Sequence, residues 1–356
     1  MTTHPYRGLP AHQFWSTGVA PVAAAELDPV ASVKFVFSPA DPVAAAGSCF
    51  AQHIARHLKA SGYNFLQTEE ALSPTEPVFS ARYGNIYTVR QLRQLLAGAY
   101  GLHRPATRVW RRPDGRFIDP LRPQLFPDGF ATADDLVTAR REHLLAVRRM
   151  FQECAVFVFT LGLTEAWVAP DGTALPAPPG VLGIEPPGGE PEFHNFSVAE
   201  MRADIEQFLT DFRDINPAGR VILTVSPVPL VATYEARHVL VSNTYSKAAL
   251  RVVAEETARA HDYVAYFPSY EIITAPQVRG AYFDADLRNV REEGVAHVMR
   301  VFSAHMMSAE AAPMPADAAP LPRDEKVVPT EEARARYAAL AEVLCDEELL
   351  DAGPDA

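Results

Sequence analysis

Short apolar runs alternate with longer segments of helical periodicity along this chain. The runs 43–47, Cys154 to Leu161, Arg220 to Val225 and Tyr263 to Phe267 are rich in β-branched, aromatic or small apolar residues. Continuous rather than alternating hydrophobicity marks strands buried on both faces of a parallel sheet. Helices are predicted over 49–61, over Val89 to Ala99 with Leu92, Leu95 and Leu96 on one face, and over 132–152. Ser197 followed by Glu200 reads as a capping box opening a helix that Asn216-Pro-Ala-Gly stops near Ile215. Further helices are expected over Ser242 to His261 and 291–305.

Strands alternating with helices predict an α/β three-layer sandwich with a central, mostly parallel sheet. Two interruptions read as insertions. Arg108 to Ile118 carries a Pro-Asp-Gly turn flanked by Trp110 and Phe117, a β-hairpin pattern, and residues 168–195 are Pro/Gly-rich, a second loop or hairpin. Residues 1–40 read as an extension whose aromatics (Phe14, Trp15, Phe35, Phe37) pack on the core. The α/β domain is expected over 41–306, an Ala/Pro-rich linker over 307–330, and an amphipathic C-terminal helix over 331–349.

Composition narrows the function. The 356 residues are 48% hydrophobic, enough for a sizeable core, and the formal charge is −12 without a Lys/Arg-rich run. That balance argues against nucleic acid or an anionic membrane as partner. Three cysteines, Cys49, Cys154 and Cys345, lie far apart, so neither a disulfide framework nor a metal-type pair is visible. The polar N-terminus lacks a signal-peptide core, and no apolar run approaches the length of a membrane span. A cytoplasmic protein with no cofactor, no metal and no membrane insertion is expected.

The candidate chemistry centres on Gly47-Ser48-Cys49-Phe50-Ala51, where a predicted strand ends and a helix begins. A nucleophile there meets the free N–H groups and positive field of a helix N-terminus, which favour a thiolate and an oxyanion. This pentapeptide, with Leu161 to Trp167, Thr224 to Leu230, Ser242 to Arg251 and Tyr266 to Glu271, resembles the GSCFA family, which is similar to the SGNH (GDSL-type) hydrolases. The resemblance covers roughly residues 35 to 305. It implies SGNH/flavodoxin-like strand order. It also implies a nucleophile at the third position of the turn, which is Cys49, with Ser48 in the place of the relatives' Asp. The other reading of Cys49 is a small buried residue packing the first helix.

The resemblance assigns oxyanion donors to Gly84 and Asn85, and to Thr164 in Gly162-Leu-Thr-Glu, where relatives carry Asn. Gly84-Asn85 also reads as an ordinary turn. The family's terminal Asp-x-x-His falls on Asp286 to Asn289, so Asn289 replaces the base. His238, in a loop at the expected functional edge, is the preferred substitute, and His297 is the alternative or simply a helix position. His53, four residues after Cys49, is expected to project away from the thiol. Glu165, Asp286 or Glu271 is available to orient a histidine. Lys247 and Arg251 share a helix face suited to an anionic group or to solvent, and Trp110, Trp167 and Tyr270 are candidates for a sugar or acyl platform. The expected function is acyl-ester chemistry: an esterase or O-acyltransferase on a carbohydrate or small hydroxylated metabolite, as in polysaccharide modification. The alternative is a catalytically silent carbohydrate-binding or scaffold protein.

Overall fold

One valine, three alanines and a glycine build the first strand, β1 (Val43–Gly47), and its two faces enter two different cores. Val43 and Ala45 join one apolar cluster while Ala44 and Ala46 join the other. The same division runs through β4 (Val156–Leu161), β8 (Arg220–Val225) and β9 (Val264–Phe267). Phe157 and Phe159 face one side and Val156 and Val158 the other. These strands form a parallel sheet in the order β1-β4-β8-β9. On the outer edge of β1, Val43 donates to Asn64 O (2.9 Å) and Leu66 donates to Val43 O (2.8 Å). This short pairing supplies the remaining position of a flavodoxin-like order. The computed structural model describes residues 4–71, 77–105, 109–123, 125–126, 128–178 and 191–308.

Helices cover both faces. On one lie α3 (Val89–Ala99), α4 (Ala133–Glu153), α5 (Val198–Ile215) and α6 (Val239–Ala260). On the other lie α2 (Ala51–Ala60), the short α7 (Ser269–Thr274) and α8 (Glu292–Met306). The three-layer α/β sandwich is therefore present. Ser197 and Glu200 do form the reciprocal capping box of α5, and Thr88 and Gln91 form another at α3. The expected hairpin is β2 (Trp110–Arg111) paired antiparallel with β3 (Phe117–Ile118).

Several details depart from the sequence reading. The second insertion is more than a hairpin: β5 (Glu165–Val168) sits between β6 (Ala174–Leu175) and β7 (Glu192–Asn195) in a small antiparallel sheet. Helix α6 starts three residues before Ser242, because His238 caps it. The turn of α7 is too short to carry helical periodicity. In the N-terminal extension, where the short α1 (Trp15–Gly18) lies, Phe37 is buried and Phe35 packs on the core, but Trp15 is exposed. Residues 309–330 of the expected linker, the C-terminal helix and Cys345 lie outside the described residues.

Parallel strands end together, so Gly47, Leu161, Val225 and Phe267 bring their following loops to one edge. Gly47 sits there at φ 141°, a conformation that side chains rarely adopt. A Cβ on it would lie 2.7 Å from Thr160 N and 2.8 Å from Thr160 Cβ, inside the neighbouring strand. Gly47→Ala is expected to cost about 3 kcal/mol or more, because both strain and overlap fall on backbone. Chemical denaturation checks this; a loss below about 1 kcal/mol would show that the strand pair yields.

Candidate functional site at the sheet edge

Ser48 N donates to Thr160 O (3.1 Å), which ends the β1–β4 ladder and turns the chain into α2. The first helical bonds are tight: Ala51 N to Ser48 O (2.9 Å), Gln52 N to Cys49 O (3.1 Å) and His53 N to Phe50 O (3.1 Å). The N–H groups of Cys49 and Phe50 therefore lie ahead of the helical ladder. Among the described residues they have no acceptor. Ser48 and Cys49 are both buried, and the Ser48 hydroxyl has no partner.

The segment 84–88 runs against this turn. Ile86 N donates to Gly47 O (2.8 Å), and Tyr87 O accepts from Gly162 N (3.0 Å) and Leu163 N (3.1 Å). Gly84, at φ 70°, faces open space, since a Cβ there meets nothing within 4 Å. Asn85 is buried beside it. Gly162 lies against Ser48: a Cβ on it would come 3.0 Å from Ser48 Cβ and 3.2 Å from Tyr87 Cδ1. The structure thus brings Ser48, Cys49, Gly84, Asn85 and Gly162 into one hydrogen-bonded neighbourhood.

Helix α6 closes the neighbourhood from above. Lys247 is 1% exposed, and its ammonium donates to Gly162 O at 2.9 Å. Ser246 Oγ accepts from Thr164 N at 3.2 Å. Thr164 is fully buried and its hydroxyl has no partner; the same holds for Thr160. At the far strands, Thr224 Oγ1 and Ser269 Oγ are 2.5 Å apart, and Ser269 Oγ donates to Val225 O at 3.0 Å. Reading the sequence missed Gly162, Thr160 and Ser246 as members of this layer. Gly162 and Ser246 stood inside distinctive blocks, whereas nothing in the strand pattern distinguished Thr160.

Lys247 and Arg251 occupy one helix face but have separate partners. Arg251 stacks on Tyr266 with 3.9 Å to the ring centroid and binds Glu271 (2.7 Å) and Glu255 (2.8 Å). Tyr266 OH donates to the other Glu271 oxygen at 2.7 Å. Glu271 is thus committed to this ion-pair network. Glu165 accepts from Thr233 Oγ1 at 2.7 Å, and burial raises its carboxyl above the ordinary range. Trp167 forms an aromatic trio with Phe193 (6.1 Å between centroids) and the exposed Tyr234 (4.9 Å). Trp110 is instead buried with Ile118 and Leu175, and Tyr270 packs against the core, so these do not join Trp167.

The histidines divide by what binds their ring nitrogens. His238 is the exposed N-cap of α6, its Nδ1 accepting from Leu240 N at 3.1 Å. That bond assigns the neutral ring's proton to Nε2. His297 is buried, with Nδ1 2.9 Å from Tyr282 OH and Nε2 2.8 Å from Leu27 O, so both nitrogens are occupied. Asn289 Nδ2 donates to Asp286 Oδ2 (2.8 Å), and Asp286 Oδ1 accepts Arg288 N (2.9 Å) and Asn289 N (3.0 Å). Asp286 and Asn289 therefore satisfy each other in an exposed turn. The His53 ring has no hydrogen bond among the described residues; burial, aided by Arg56, lowers its pKa to about 4. No hydrogen bond links Cys49 Sγ to a histidine among the described residues. Cys154, the buried C-cap of α4, has its thiol pushed up to about 12 by burial.

No group of three or more metal-ligating side chains occurs among the described residues. Among those residues no helix is long and apolar enough to cross a membrane. The model of the GSCFA family matches residues 42–302, from the start of β1 into α8. The chain belongs to the GSCFA family. No curated protein matches it. In this GSCFA protein the matched region contains every element that reaches the sheet edge.

Buried neutral histidines make stability pH-dependent. His53, and His143 in α4, are both depressed from 6.5 to about 4, each by burial first and a nearby arginine second. Burial lowers His57, His103 and His297 in the same direction. An unfolded chain takes up protons near the ordinary value while the folded one does not. The stabilisation is complete above pH 6.5 and is lost as pH falls toward 4. Thermal midpoints are expected to fall steadily across that window, with a shallower slope in His143→Gln. A flat profile would contradict these neutral, buried rings.

Proposed function

We propose that this GSCFA protein is an acyltransferase that uses Cys49 as nucleophile. The observation that carries the reading is the pair of unoccupied N–H groups, on Cys49 and Phe50, at the start of α2. Donors fixed at a helix start suit the oxyanion of a tetrahedral acyl intermediate. Gly84, opening onto free space beside Asn85, supplies a third approach to the same neighbourhood.

In the proposed reaction the Cys49 thiolate attacks the carbonyl of an activated ester or thioester. The carbonyl oxygen becomes anionic against the free N–H groups, and the leaving thiolate or alkoxide departs, taking up the proton that Cys49 gave up. Cys49 then carries the acyl group as a thioester. A hydroxyl of a carbohydrate or small hydroxylated metabolite attacks in turn, and its proton re-forms the Cys49 thiol as the new ester leaves. The second reading, a silent relative that binds a hydroxylated ligand, is favoured by the mutual bonding of Asp286 and Asn289.

Incubation with p-nitrophenyl acetate, followed by peptide mass analysis, separates the two. One acetyl group is expected on Cys49, none on Cys154, and none in Cys49→Ala. Addition of a polyol acceptor should discharge the acetyl-enzyme faster than buffer does. A folded wild-type protein that leaves Cys49 unmodified would favour the binding role.

A further inference from the structure

The outer side of α4 carries large apolar side chains that none of the described residues covers. Val137 and Leu145 share one face of the helix and are 47% and 55% exposed. Leu102, in the loop that follows α3, is 79% exposed. An open cleft runs between these elements, lined by Gly98, Val137, Leu144, Leu145, Arg104 and Arg141. Apolar side chains grouped around a basic cleft, unlike scattered ones, mark an interaction site.

The charge of the cleft is out of keeping with the chain. The protein carries −12 overall, yet no carboxylate lines the cleft among the described residues. Arg140 also lines it but is committed to Asp119, in a cluster with Glu69, Arg122 and His143. Arg104 and Arg141 have no ion-pair partner among the described residues. The carboxylates of α4 nearest to them in sequence, Asp134, Asp135 and Glu142, are exposed and do not line the cleft.

Residues 331–349 carry the complementary pattern. Tyr337, Leu340 and Leu344 fall on one face at helical spacing, and Glu347 and Glu348 follow one turn beyond Leu344. Acidic residues, Glu342, Asp346, Glu347 and Glu348 in the second half alone, outnumber Arg334 and Arg336.

The described chain ends within reach. Ser308 O accepts from Tyr63 OH at 2.7 Å, and Thr68 on the same segment donates through Oγ1 to Ala146 O of α4 at 2.9 Å. The backbone from Tyr63 to Thr68 spans no more than about 18 Å. Residues 309–330 can extend about 75 Å, and as a flexible chain they would average about 25 Å end to end.

We propose that residues 331–349 dock as an amphipathic helix in the cleft beside α4 of the same chain, with Tyr337, Leu340 and Leu344 against its apolar lining and Glu347 and Glu348 beside Arg104 and Arg141. Apolar burial supplies the stabilisation, because exposed ion pairs add little. The charges select this cleft over other apolar surface. The short connection favours the chain's own segment over that of a second copy, since it holds the segment at high local concentration.

Cys345, next to Leu344, makes the docking readable in the full chain. Thr138→Cys and Leu102→Cys place exposed thiols at the two sides of the cleft, and Val252→Cys, on the outer face of α6, is the control. The variants are oxidised in air with copper-phenanthroline, then resolved by non-reducing electrophoresis and peptide mass analysis. A disulfide within one chain, between Cys345 and position 138 or 102, is expected to form at least tenfold faster than one between Cys345 and position 252. Adding Leu344→Asp or Arg141→Glu should slow it at least fivefold, with thermal midpoints showing that the core stays folded. Rates no higher than in the control, disulfides between chains instead of within one, or trapping unaffected by Leu344→Asp or by Arg141→Glu would each overturn the proposal.

Discussion

The close approach of Gly47 to Thr160 is the constraint on which the functional edge depends. Parallel pairing of β1 with β4 continues to the last residue of β1, and the chain must then leave the sheet at once. Only a residue without a side chain meets both demands, because the space a Cβ would fill belongs to the neighbouring strand. The abrupt exit puts Ser48 against Gly162 and starts α2 within a few residues. The Cys49 and Phe50 N–H groups are left ahead of the helical ladder as a result. A longer, softer turn would let those donors find backbone acceptors and would dissolve the feature.

The layer above that turn is polar although it is buried. Ser48, Thr160, Thr164, Thr224, Ser246, Lys247 and Ser269 lie at the C-terminal end of a sheet whose centre is wholly apolar. Buried hydroxyls are individually cheap when bonded, as Thr224 and Ser269 are to each other. A buried ammonium is not, and Lys247 reaches the Gly162 carbonyl on the very loop that abuts Ser48. Lys247 therefore couples α6 to the position of the turn. Small or polar side chains also keep this end of the sheet from closing over with apolar packing, which is the usual fate of a strand end between helices.

The sheet was legible in the sequence because each strand is buried on both faces and its hydrophobicity is continuous. Helix α3 and the capping box of α5 were legible because their signals are local: periodicity and a Ser-to-Glu spacing. The site was legible only as blocks. Distinctive loops fell at the same strand ends, and the structure does bring Ser48, Cys49, Gly84, Asn85 and Gly162 together. What each side chain binds was not legible. Arg251 finds Glu271 on another element, and His238 turns from loop residue to helix cap because α6 begins earlier than its apolar pattern. The cluster of Glu69, Asp119, Arg122, Arg140 and His143 joins segments remote in sequence, and no spacing announces it. Long-range pairing of polar groups has no periodic signature.

The state of the histidines bears on the kind of chemistry the edge can support. A general base needs an accessible lone pair and a proton affinity near the working pH. In His297 Nε2 donates to Leu27 O and the Nδ1 lone pair is taken by the Tyr282 hydroxyl. In His238 the lone pair of the neutral ring is on Nδ1 and is taken by the Leu240 N–H, while Nε2 already bears the proton. His53 is close to the thiol in sequence, but with a pKa of about 4 it is a weak acceptor. Water is a poor nucleophile without such help, whereas a thiolate needs a base only for its formation. Thioester exchange also expels a thiolate, a leaving group that requires no proton. On the proposed reading, the loss of imidazole at 289 is therefore less damaging to the acylation of Cys49 than to its discharge, in which a hydroxyl or water must give up a proton. It moves the demand from proton transfer to oxyanion binding, which the start of α2 can meet with backbone alone.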